Sequence, residues 1–262
     1  MQCRVGAVEF LNTVPLLRGL DDVPGLAVTC DVPSALAEGL SAGRYDVALI
    51  PVASYLQGVG DAIAPGVSIS CQGAVGTIKL FAKRPLGEIR TLALDRGSRS
   101  SAGLARAALS ARYGARPECR EMEPDLGRML EATDAALLIG QAGMLTEPPP
   151  EGAREHDLGE MWWDWQGVPL VLAAWVFAEG AASADVAAEL SAARDRGLAA
   201  LEEISLAEGE RRGIDPAIIA RYLGEMLDFS LGREHVEGMR RYQDLLIGEG
   251  LLAERRELTF AT

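Results

Sequence analysis

The alternation of short apolar runs with helix-forming stretches constrains this chain more than any other feature. Arg4–Val8, Leu26–Cys30 and Asp46–Val52 each read as a strand. Between the first two, Val14-Pro15-Leu16-Leu17 starts a helix with proline in its first turn. Between the second and third, Val32-Pro33-Ser34 leads into a helix over 34–42, with Ser34 as its N-cap and Gly43 at its end. Parallel strands need a crossover between them, usually a helix. A β-α-β-α-β order therefore predicts a mostly parallel sheet covered by helices on both faces. The middle of the chain repeats that order. Thr91–Leu94 is a strand, a helix runs to about Tyr113-Gly114, Cys119–Met122 is a strand, Asp125–Ala132 a helix and Asp134–Gly140 a strand. No sequence repeat strong enough to indicate duplication accompanies it.

Two extended segments link the halves. GVSISCQGAVGTIKLFAK, within 62–83, has no helix inside it and fits strands that pass from one half to the other. Pro85-Leu86-Gly87 reads as a hinge, and VPLVLAAWVF, 168–177, as a long apolar strand that returns the chain. From Ser183 onward everything reads helical. Asp185–Glu208 keeps an apolar face through Val186, Leu190, Leu198, Leu201 and Ile204. Asp215-Pro216 caps a helix over 216–227, and a last helix covers about 233–247. The sum is an α/β chain of two lobes, 1–86 plus 170–262 and 87–169, with crossing strands and a helical C-terminal segment. That is the type II periplasmic-binding-protein-like fold. Ligands of such folds are expected between the lobes, at the carboxyl ends of the strands.

Composition narrows the partners. A net charge of −13 argues against nucleic acid and anionic membranes. It also requires that any anion site be locally positive. The cysteines at 3, 30, 71 and 119 form no CxxC pair and have no histidine at metal spacing, so they read as reduced, mostly buried residues, with no metal expected. No basic stretch followed by an apolar run opens the chain, and no apolar run is long enough to span a membrane.

The strand-to-helix junction TLALDRGSRSSAGL stands out chemically. Ser98, Arg99, Ser100 and Ser101 fall where a helix begins, so hydroxyls, a guanidinium and unpaired backbone N–H groups converge with the positive end of the helix dipole. That suits a carboxylate or phosphate, and a plain N-cap uses the same residue types. Asn12-Thr13 sits at a similar junction near the N-terminus, either facing a ligand or capping the helix. Ser68 and Ser70 either face a ligand or serve as cross-strand partners. Gly140-Gln141-Ala142-Gly143 reads as a turn whose glycines let backbone approach a ligand. Trp162, Trp163, Trp165 and Trp175 read as core. His156, in a loop, and His235, on a polar helix face, receive no role. P-loop, GxGxxG, GxSxG and HExxH patterns are all missing from the sequence.

Six segments in register carry a family resemblance: RVGAVEFLNTVPL, DVALIPVASYL, SISCQGAVGTIKLF, LALDRGSRSSAGL, DAALLIGQAGM and DLGEMWWDWQGVPLVLAAW, followed by DFSLG in the tail. The chain resembles the menaquinone-biosynthesis chorismate dehydratases of the futalosine route over nearly its whole length. The resemblance implies a cytoplasmic hydro-lyase that converts chorismate to 3-[(1-carboxyvinyl)oxy]benzoate without metal or organic cofactor. It places the family's catalytic asparagine at Asn12 and its carboxylate-binding turn at Ser98, Ser100 and Ser101. Thr13, Ser70, Arg99, Gly140 and Gln141 complete the expected substrate contacts. Relatives carry an acidic residue after LIG where this chain has Gln141, a position expected to be structural. The partner implied is the small-molecule substrate chorismate, with no nucleic acid and no membrane, and no oligomeric state follows. A dihydroxynaphthoate synthase of the same route, or a non-catalytic solute-binding protein, would share the architecture.

Overall fold

The computed structural model describes residues 2–96, 100–146 and 148–262. In chain order it has β1 Cys3–Ala7, β2 Leu26–Cys30, α1 Pro33–Ser41, β3 Val47–Pro51, α2 Val52–Leu56 and β4 Ala62–Cys71. Then follow β5 Lys79–Ala82, β6 Thr91–Asp95, α3 Ser100–Tyr113, β7 Glu118–Met122, α4 Leu126–Ala132, β8 Ala135–Leu138, α5 Gly140–Leu145, β9 Arg154–Asp157 and α6 Leu158–Gln166. The chain ends with β10 Leu170–Phe177, α7 Ala184–Ala199, α8 Leu201–Arg212, α9 Pro216–Arg221, β11 Asp228–Leu231 and α10 Arg233–Gly248.

The chain divides into two units, each with its own sheet. The first comprises Met1–Ser70, Val171–Met239 and Arg255–Thr262, and the second Cys71–Leu170 and Arg240–Glu254. The first sheet runs β11-β4-β10-β3-β1-β2. In it β1 is parallel to β2 and β3, while β10 is antiparallel to β3 and β11 antiparallel to β4. Its interior holds Val5, Ala7, Val47, Ile50, Tyr55, Trp175 and Phe177, all fully buried. The second sheet runs β7-β6-β8-β5-β9. There β6 is parallel to β7 and β8, and β5 is antiparallel to β8 and β9. Phe81, Ala93, Met129, Leu130, Ala136 and Leu138 form its core. Residues 71–86 go with the second unit, not with the first as the sequence reading placed them, because β5 pairs inside the second sheet.

Several elements differ from the sequence reading. Leu11–Leu17 is a 3₁₀ helix with Pro15 inside it, not the start of an α-helix. Pro15 has no N–H to donate to Leu11, so an α-helical turn cannot close there. Helix α1 is capped by Val32 with Pro33 in its first turn, which moves Ser34 inside the helix. Residues 185–208 are two helices, separated at Ala200. Residues 222–226 are π-helical, and the all-helical tail is interrupted by β11. In β11, Phe229 and Leu231 are buried and Ser230 is exposed, the period-two pattern of a strand. Gly140–Gly143 opens α5 and is not a free turn. Of the cysteines only Cys71 is buried. Cys30 is exposed, and Cys3 and Cys119 are half-buried. No helix among the described residues is long and apolar enough to cross a membrane.

Candidate functional site

In the second unit, sheet register gathers several segments along one edge. Strands β6 and β8 run parallel, so α3 and α5 both begin at the carboxyl edge of the sheet. Lys79, at the start of β5, lies opposite Leu138, at the end of β8, so the segment 72–78 reaches the same edge. Asp157, at the end of β9, also pairs with Lys79 and brings the start of α6 there. Ser100, Ser101, Gly140 and Gln141 are thus brought together on one edge of one sheet. Ser100 and Ser101 are half-buried in the first turn of α3, and Gly140 and Gln141 are exposed in the first turn of α5. The backbone N–H of Ile139 donates to Asp95 Oδ2 at 3.4 Å, which ties the end of β6 to the entrance of α5. Ser98 and Arg99 lie outside the described residues.

The start of α3 is braced from behind. The Tyr242 hydroxyl donates to the Ser100 carbonyl at 3.1 Å. Burial pushes that phenol well above its ordinary range, so it stays protonated and a donor. Its ring meets Trp162 edge-on, with centroids 6.2 Å apart. Trp162 in turn donates its indole N–H to the Val168 carbonyl at 2.8 Å. Trp162 and Trp175 are both buried, which fits the core reading of these two tryptophans.

In the first unit, the carboxyl edge of β1, β2 and β3 carries Asn12 and Thr13. The Asp31 N–H donates to the Ala7 carbonyl at 2.9 Å, so the chain leaving β2 stays beside the chain leaving β1. Asn12 is half-buried. It is not the helix cap: Phe10 holds that position and makes no side-chain capping bond. Thr13 is fully buried. Its N–H donates to the Phe10 carbonyl at 3.0 Å, and its hydroxyl lies 3.5 Å from Asn12 Oδ1. Ser70, at the end of β4, is fully buried, and its hydroxyl donates to the Asp228 carbonyl at 2.8 Å. Ser68 reaches the Ser230 carbonyl in the same way, at 2.5 Å. These hydroxyl protons are spent on β11, the cross-strand role.

His235, given no role from the sequence and placed on a polar face, is instead buried. Its Nε2 lies 2.8 Å from Asp228 Oδ2, and the Gly232 N–H donates to Nδ1 at 3.2 Å. Nδ1 is therefore the acceptor and Nε2 carries the proton. Asp228 also accepts the Ser230 N–H at 2.8 Å. The hydrogen bond from His235, with help from Ser230, holds the Asp228 carboxyl well below the usual carboxylate range. The missed signal was the alternation of DFSL with a histidine following it.

The family model described as menaquinone biosynthesis matches residues 3–247. A chorismate dehydratase from Thermus thermophilus is 29% identical over 236 residues, covering 84% of this chain and 86% of that protein. Among solved structures, protein AF1704 from Archaeoglobus fulgidus superposes with a TM-score of 0.70 at 19% identity, over 96% of this chain and 98% of that one. The periplasmic aliphatic sulphonate binding protein from Escherichia coli gives 0.65 at 14% identity, over 100% and 94%. The fold is therefore periplasmic-binding-protein-like, and ligand chemistry at carboxyl strand edges is the habit of open α/β sheets. With its model matched along nearly all of the sequence, the chain belongs to the menaquinone biosynthesis family.

Proposed function

We propose that the protein is a chorismate dehydratase, a hydro-lyase that removes water from chorismate to give 3-[(1-carboxyvinyl)oxy]benzoate. The observation that carries this reading is the likeness to the Thermus thermophilus chorismate dehydratase, which extends over most of both chains. Chorismate offers two carboxylates, a ring hydroxyl and an enolpyruvyl ether. A ring C–H bond breaks, its electron pair enters the ring, and the neighbouring C–O bond breaks to release water. Aromatisation drives the reaction.

The residues supplied are amides, hydroxyls and helix N-termini, so the enzyme orients and polarises its substrate. The enolpyruvyl carboxylate of the substrate itself takes the ring proton and passes it to the departing ring hydroxyl, so that the group leaves as water and the carboxylate is regenerated. Asn12 donates a hydrogen bond near the reacting centre. Ser98, Arg99, Ser100 and Ser101 anchor a carboxylate at the start of α3, where the helix dipole favours negative charge. Thr13, Ser70, Gly140 and Gln141 are weaker candidates: Thr13 and Ser70 are fully buried, and Gln141 stands exposed on α5. The reaction requires no metal or organic cofactor, and the reading carries a cytoplasmic location.

The test is the double variant Ser100→Ala with Ser101→Ala. Its KM for chorismate is expected to rise about tenfold or more, the size of one or two lost hydrogen bonds to a charged group. A KM equal to that of the wild type removes the serines from the site. Wild-type protein that binds small acids but leaves chorismate intact favours a solute-binding role, and dehydration of a different cyclic acid favours a sister enzyme of the route.

A further inference from the structure

We infer that Asp157 is a positioning residue for the substrate edge of the second unit, through the segment Gln72–Thr77. This rests on the reading that chorismate is bound at that edge. The Asp157 side chain is 9% exposed and accepts four backbone N–H groups from two separate segments. Oδ1 takes Val75 at 2.9 Å, Gly159 at 2.8 Å and Glu160 at 3.2 Å, and Oδ2 takes Gly76 at 2.7 Å. Two of these bonds cap α6, as any N-cap aspartate does. The other two have no part in capping. They bind a segment 81 and 82 residues away in sequence.

Glycines close the contact from both sides. A Cβ at Gly159 would stand 2.5 Å from the Gly73 carbonyl oxygen and 2.9 Å from the Val75 nitrogen. A Cβ at Gly143, in α5, would stand 2.4 Å from the Thr77 carbonyl oxygen. The backbone of 72–77 is thus fixed between the starts of α5 and α6, with no regular structure of its own. Within that fixed segment Gln72 is exposed and Gly73 and Ala74 are half-buried, on the edge that also carries Ser100 and Ser101. A charged acceptor holding a short loop's backbone in one conformation is the arrangement that pre-organises a binding surface.

Asp157→Asn separates the two jobs. Asparagine is a good N-cap, so its oxygen keeps the cap of α6 while its NH₂ faces the Gly76 N–H and cannot accept from it. The expected result is a KM for chorismate raised about tenfold, with kcat within about threefold of wild type. Gly159→Ala leaves the carboxylate in place and displaces the segment by contact, and is expected to give the same split. Asp215→Ala, which removes the cap of α9 in the other unit, serves as the purely structural control and is expected to leave KM unchanged. If both loop variants lower the melting temperature but keep the wild-type KM, Asp157 is only a helix cap and the inference is overturned. A wild-type protein inert toward chorismate overturns the functional reading and this inference together. An active wild type with unaltered variants overturns the inference alone.

Discussion

Asp228 and His235 share a 2.8 Å hydrogen bond at the junction of β11 and α10. Their pairing makes Asp228 one of the carboxylates that set the protein's acid stability, beside Asp46, Asp134 and Glu208, which are also held below their ordinary values by arginine partners. Because the folded pKa of Asp228 is depressed, its contribution is fully present above the unfolded aspartate value of about 3.9 and fades as pH falls towards the folded value. Unfolding free energy is therefore expected to fall below about pH 4, and Asp228→Asn to flatten that part of the curve. At neutral pH the same variant is expected to cost about 2 kcal/mol. Urea titrations across pH check both, and an acid dependence unaltered by the substitution contradicts the assignment. Sequence context could not disclose this pair. The partners are seven positions apart, a spacing that on a helix leaves them two turns, about 10.5 Å, from each other, whereas here Asp228 sits on a strand that turns into α10. Asn12 was legible only as a choice between facing a ligand and capping a helix, because asparagine is a common N-cap, and the cap position proves to be held by Phe10. Ser70 was legible only as a choice between two roles, since a serine's partner depends on which strand lies beside it.

At the scale of elements, the contact between α7 and the 3₁₀ helix Leu11–Leu17 supports the segment that carries Asn12. Gly197 makes it possible: a Cβ there would lie 2.0 Å from the Pro15 carbonyl oxygen. Backbone on both sides leaves nothing flexible to yield. Gly197→Ala is expected to destabilise the protein by about 2–3 kcal/mol, as overpacking in a core does, and to perturb turnover because Asn12 shifts with its helix. Chemical denaturation beside steady-state kinetics measures the two effects, and a stable, fully active variant refutes this support. Most strands were readable as apolar runs and most helices from their caps and apolar faces, but α7 and α8 were read as one helix, and β9, which holds the His156 placed in a loop, and α6 were not read. Other exceptions are short. DFSL is four residues set between helices, and the five residues of α2 follow β3 without a break. The 3₁₀ helix differs from an α-helix only by where Pro15 falls in it.

At the scale of the whole molecule, each unit builds its sheet from strands distant in sequence. The alternating β-α order announces the parallel strands. It does not announce that β5 and β9 complete the second sheet, or that β11 closes the first beside β4. Those antiparallel additions bring 72–78 and Asp157 beside the starts of α3 and α5, and bring Asp228 beside Ser70. Residues on the βα junctions were therefore visible as candidates, whereas Asp157, Tyr242 and His235, which act through register and packing, were not. The account as a whole holds that these edges exist to orient chorismate for loss of water. The most direct measurement is to incubate the purified protein with chorismate and identify the product by mass and ultraviolet spectrum. The account predicts an aromatic product lighter than chorismate by one water. Chorismate recovered unchanged from active-concentration protein, with no aromatic product, would contradict it.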